Sequence, residues 1–161
     1  MHAASLATLL SLVALQAPGC APKGAVTLTP SSPVLHLGVS IDRPPADVYA
    51  FVVDPRNLPR WASGLGGSIE EVGGEWIATS PAGKVKVRFV ERNALGVLDH
   101  HVTLESGQTV YVPMRVLARG AGSELVFTLF RLPGTSDEAF SADARTVERD
   151  LAALKRLLEA R

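Results

Sequence analysis

Apolar residues recur at Phe140, Ala144, Val147, Leu151, Leu154 and Leu158, in alternating steps of four and three. That spacing lays them along one stripe of an α-helix. The stripe predicts a helix from about Asp137 to Ala160, roughly 24 residues and about 36 Å long at 1.5 Å per residue. Thr135, with Glu138 three residues later, offers a capping box at its start. Upstream, the period falls to two. Leu35, Leu37, Val39 and Ile41 alternate with His36, Gly38, Ser40 and Asp42, which predicts a half-buried strand from Val34 to Asp42. Arg43-Pro44-Pro45 ends it, because proline has no N–H for a ladder, and Pro45 suits the first turn of a helix. Val48, Phe51 and Val52 form that helix's apolar side, and Asp54-Pro55 stops it. A second short helix is expected from Pro55 to Ala62, the two making a V-shaped pair.

Past the glycines at 64, 66 and 67 the pattern is one of strands. They are expected at Ser68 to Val72, Glu75 to Thr79, Lys84 to Val90, Val97 to Leu104, Thr109 to Ala118 and Ser123 to Arg131. The links are short and turn-like: Gly73-Gly74, Arg92 to Gly96, Glu105 to Gln108 and Arg119 to Gly122. Links of that length demand antiparallel neighbours. The order is one strand, two short helices, a meander and one long helix, an α+β arrangement. A meander this long curves, and its concave side is where the last helix can bury its stripe. A space is expected between the two.

Composition narrows the picture. A chain of 161 residues holds one domain with one sizeable core. Its 16 basic and 16 acidic residues balance, with no Lys-rich or Arg-rich block, which argues against a nucleic-acid binder. The first charged side chain is Lys23, and Ala3 to Leu15 is almost wholly apolar. That stretch is too short to span a bilayer but fits the h-region of a secretory signal. Cys20 is the only cysteine and resembles a bacterial lipoprotein acylation site, although Met1-His2 lacks a basic residue and Ala17-Pro18-Gly19 lacks the usual leucine. Two readings stand. Residues 1–20 form a leader of an exported, lipid-anchored protein, or the start is mis-assigned and the protein is cytoplasmic. Residues 21–33 then read as a tether, and 34–161 as the folded domain.

The run from Val39 to Val52, Val-Ser-Ile-Asp-Arg-Pro-Pro-Ala-Asp-Val-Tyr-Ala-Phe-Val, resembles the START-like (SRPBCC) superfamily, in particular its polyketide cyclase/dehydrase and lipid-transport branch. Asp54-Pro55 with Leu58-Pro59-Arg60-Trp61, and the closing Glu148 to Lys155, are similar to that branch as well. The resemblance covers about Val34 to Ala160. It implies a helix-grip fold, with about six to seven curved antiparallel strands wrapped around the C-terminal helix. It also implies a cavity for lipids, hormones or polyketides. No universal catalytic motif comes with it, so function rests on the cavity.

If Glu105 to Gln108 and Arg119 to Gly122 are four-residue loops, His101 lies opposite Val112, and Met114 opposite Phe127. Asp99, His101 and Thr103 then share the inner face with Val110, Val112, Met114, Val116, Leu125 and Phe127. A one-residue slip would invert such an assignment. His101 becomes either a polar handle and proton carrier in a ligand pocket or a buried histidine held by Asp99 or water. The doublet His100-His101 points to opposite faces of a strand and cannot share a metal ion. No metal site or cofactor is expected. Trp61 should stand at the cavity mouth, as a stacking surface or a plug. Trp76, Thr103, Phe140 and Arg145 complete the candidate ligand contacts, with Arg145 either reaching inward or snorkelling to solvent.

Three functions remain open. The first is a binding module for a small apolar or lipid-like molecule. The second is a cyclase- or dehydratase-like enzyme with His101 and Asp99 as acid and base, and Tyr111 or Arg145 positioning a carbonyl. The third is an interaction domain using a sheet edge or the tether. A membrane partner enters only through a lipid on Cys20, and oligomeric state is left open.

Overall fold

The computed structural model describes residues 33–65, 67–80 and 83–160. The expectations for the leader, the tether and Cys20 lie outside these residues. Eight strands and two α-helices are present among them. Strand β1 (Val34–Ile41) leads through Pro44 into helix α1 (Pro45–Val52), with proline in the first turn as expected. A 3-10 helix (Pro55–Arg60) and a short 3-10 turn (Ser63–Leu65) follow. The strands are β2 (Ser68–Val72), β3 (Glu75–Ser80), β4 (Gly83–Phe89), β5 (His100–Thr103), β6 (Thr109–Val112), β7 (Met114–Arg119) and β8 (Gly122–Phe130). Helix α2 (Asp137–Glu159) closes the chain.

All strand pairs are antiparallel, in the orders β1-β8-β7 and β2-β3-β4-β5-β6. The predicted stripe on α2 is the buried one: Phe140, Ala144, Leu151, Leu154 and Leu158 are buried and Val147 partly so. Leu154 is 0% exposed, and burying such a side chain is worth about 1.5–3 kcal/mol. It packs with Ile41, Val48, Val52, Val85, Val87 and Leu125 in one core.

Four local expectations are corrected. The second helix is a 3-10 helix ending at Arg60, because Pro59 inside it has no N–H for a longer α-helical ladder. Ser136, not Thr135, caps α2, accepting from the Ala139 N–H at 3.2 Å. The strand expected over Thr109 to Ala118 is divided at Pro113 into β6 and β7. Of the strand expected over Val97 to Leu104 only His100–Thr103 is regular, with Val97 bridging Arg115.

The division at Pro113 shapes the molecule. Met114 pairs with Phe127, and Thr128 N–H still donates to Pro113 O, but Pro113 returns no bond and β6 leaves β8 beyond it. On its other edge the strand keeps register with the chain before β5. Leu98 N–H donates to Met114 O and Val116 N–H to Gly96 O, each at 2.9 Å. The reciprocal bond, Met114 N–H to Leu98 O, is replaced. Met114 N–H donates to Asp99 Oδ1 at 2.9 Å, while Leu98 O faces His100 Nδ1 at 3.1 Å. Gly96 makes the close approach feasible, because a Cβ there would lie 2.2 Å from Val116 O and the residue has φ +71°. Two adjacent side chains thus substitute for one rung of the ladder.

The free edge of β1 is covered from α2. Lys155 Nζ donates to Ser40 O at 2.8 Å, and Glu159 Oε1 accepts from Asp42 N–H at 2.8 Å. Edge polar groups so engaged are withheld from other chains.

Candidate functional site

Between α2, the 3-10 segments and the fork of the sheet lies a cavity of about 250 Å³. Leu58, Trp61, Ala62, Gly64 and Leu65 form one wall, and His100, Val102, Val112 and Phe127 the floor. Asp143, Thr146, Val147, Asp150 and Leu151 come from α2. The last five fall at helical spacings of three, four, seven and eight from Asp143, so one helix face supplies them. The 3-10 helix delivers Leu58 and Trp61 because Asp54 folds its start, accepting from Arg56 N–H at 3.1 Å and pairing with the guanidinium. The guanidinium's hydrogen bond, more than the backbone one, holds the Asp54 carboxyl below the usual carboxylate range.

One wall of the cavity is latched to α2. Asp150 Oδ1 accepts from Ser63 Oγ at 2.5 Å and its other oxygen from Gly64 N–H at 3.5 Å, tying the short 3-10 turn to α2. The Trp61 Nε1–H is sealed inside without a hydrogen-bond partner, so its indole is held by packing alone.

His100 is the polar group of the floor. It pairs with Val112 of the neighbouring β6 and its ring lies 4.8 Å from that of Phe89. Leu98 O only accepts, so Nδ1 carries the proton in that hydrogen bond. Burial pushes the imidazole down to about 4 from 6.5; the Leu98 carbonyl pulls it up, and His101 adds a small push down. The ring is therefore neutral at pH 7, with Nε2 a bare acceptor that no residue among those described engages.

The sequence-derived candidates divide. Trp61, Val112 and Phe127 line the cavity. Met114 is buried in the core beneath, 1% exposed, and Trp76 is half-buried against the core, neither reaching the cavity. Phe140 is buried outside it, and Arg145 is exposed on α2.

Asp99, His101 and Thr103 are corrected to the opposite face. The β5–β6 hairpin closes as Leu104 N–H to Gln108 O around a three-residue loop, with Gly107 at φ +84°. His101 therefore pairs with Tyr111, not Val112, and every β5 side chain changes face. Thr103 bonds Thr109 across the outer side at 3.0 Å. His101 rests on Tyr111 with ring centres 5.1 Å apart, and Asp99 binds Tyr111 Oη and Arg115. The second hairpin has the expected register, with Ala118 opposite Ser123.

His100, Leu58, Val102 and the α2 residues Asp143, Thr146 and Asp150 were missed. A signal for His100 was present: Gly107 fits the third position of a three-residue hairpin loop, and that register turns His100 inward. The α2 polar residues flank the stripe, and spacing alone does not separate a cavity lip from a solvated face. No cluster of three His, Cys, Asp or Glu able to hold a metal exists among the described residues.

Residues 33–159 match the family model described as polyketide cyclase / dehydrase and lipid transport. No curated protein matches the chain. Among solved structures, that of Ara h 8.0201 is 18% identical, covering 80% of this chain and 98% of its own, with a TM-score of 0.62. Protein CV1439 from Chromobacterium violaceum is 17% identical over 78% and 96%, with a TM-score of 0.60. The Aha1 dimer from Colwellia psychrerythraea is 15% identical over 78% and 96%, at 0.61. At such identity these are likenesses of fold.

Proposed function

Because the chain belongs to the polyketide cyclase/dehydrase and lipid-transport family of the START-like superfamily, we propose that it binds a small apolar molecule between sheet and helix. The observation that carries this is the cavity of about 250 Å³, lined by Leu58, Trp61, Val102, Val112, Phe127 and Leu151. It exceeds the roughly 150 Å³ that holds benzene in an engineered apolar cavity, and it stands near the lower end of ligand pockets. The cargo is accordingly compact, of one or two rings or a short chain. The cyclase-like alternative with His101 and Asp99 as acid and base loses its chamber, because both side chains lie on the sheet's other face.

Naphthalene titrated into protein with labelled methyl groups tests the proposal. Saturable shifts are expected at Leu58, Val102, Val112 and Leu151. Shifts centred instead on Leu95 and Leu117, in the exposed groove beside α1, would overturn it, as would none at all. Native mass spectrometry of the purified protein then reads the mass of any molecule carried along.

A further inference from the structure

We infer that the cavity selects a compact neutral alcohol or phenol, whose hydroxyl donates to His100 Nε2, and that it rejects carboxylates of the same size. This rests on the binding proposal above and adds the chemistry of the ligand. Three observations support it. First, the hydrogen bond to Leu98 O fixes the tautomer, so the free nitrogen has a lone pair and no proton. Second, His100 is 5% exposed, lines the cavity floor and finds no second partner among the described residues. An acceptor facing an apolar cavity without a protein partner gains from a donor on the ligand. Third, the charged residues lining the cavity are both acidic, Asp143 and Asp150, with no Lys or Arg among them. An anionic head group would meet like charge at the lip and a lone pair at the floor. A hydroxyl on an apolar frame meets neither difficulty.

His100 is held firmly enough to discriminate. One nitrogen stands in for a ladder bond, and the ring packs against Phe89. A fixed acceptor does not turn away to suit a ligand lacking the donor, so the analogue pays the full desolvation.

The experiment uses three probes of one shape on the full chain: 1-naphthol, 1-methylnaphthalene and 1-naphthoate at pH 7.5, by calorimetry. The expected order is naphthol tighter than methylnaphthalene by roughly tenfold to a hundredfold, the range for leaving one buried acceptor unpaired. Naphthoate is expected to bind most weakly. In His100→Phe the naphthol-to-methylnaphthalene ratio should fall below about threefold, again the loss of one hydrogen bond. Nitrogen NMR of the unaltered protein should show naphthol moving the Nε2 resonance of His100 much more than Nδ1, a readout independent of any variant. Methylnaphthalene equal to naphthol, or naphthoate the tightest, would overturn the inference and leave the apolar cavity standing. Failure of both neutral probes to bind would overturn the binding proposal, and the inference with it.

Discussion

His100 has one neighbour in sequence with the same side chain and the opposite fate. His101 lies against Tyr111 on the outer face, while His100 is sealed on the inner one. The folded pKa of His100, about 4, is below its unfolded value of 6.5. As pH falls through that window the unfolded chain takes up a proton that the folded one refuses. Its neutral state therefore contributes fully above pH 6.5, and this contribution is lost progressively toward pH 4, at most about 3 kcal/mol. Asp143 and Asp150 line the same cavity from α2, while the charge that bears on the ring is that of His101, which opposes its protonation. In urea titrations, the stability difference between pH 7 and pH 5 should shrink in His100→Gln. An unchanged difference would exclude His100 as its source. Which histidine faces inward was open to reading, yet one residue of hairpin loop decided it. The Gly107 loop has three residues between its closing pair, and counting four moved Asp99, His101 and Thr103 to the wrong side.

Elements were easier to read than registers. The α2 stripe was legible because a 23-residue helix on a sheet must bury one face, and six periodic apolar positions leave little choice of which. Strand β1 was legible for the same reason at period two. Pro113 was the overlooked mark: a proline inside an otherwise regular run signals that one edge loses its partner, and here β6 parts from β8 there. The cap at Ser136 was misread by one residue because two adjacent hydroxyls both precede an acidic turn. The short 3-10 turn carries a prediction of its own. Ser63 and Gly64 are held to α2 by the Asp150 carboxylate, so on the binding proposal this tie should slow exchange of the cavity's ligand. Ser63→Ala should speed dissociation of naphthalene by roughly threefold to tenfold, as expected from one charge-assisted bond lost near solvent. Its effect on stability should stay within about 1 kcal/mol. Line-shape analysis of the cavity methyl signals measures the exchange rate, and an unchanged rate would remove the latch from the entry path.

For the whole molecule, helix α2 serves two borders. Its middle turns line the chamber, and its last turn covers the edge of β1 through Lys155 and Glu159. Breaking that cover with Lys155→Ala and Glu159→Ala together should make sedimentation concentration-dependent, since an uncovered edge is a template for pairing. Sedimentation velocity unaffected across a hundredfold dilution range would oppose this. On the binding proposal, cargo and border would act on each other through one rod. A cargo that steadies the rod also keeps its tail seated on the border strand, and by linkage a neighbour bound at that border would loosen the hold on cargo. The unfilled form already has that border covered by Lys155 and Glu159, so filling should reinforce the cover.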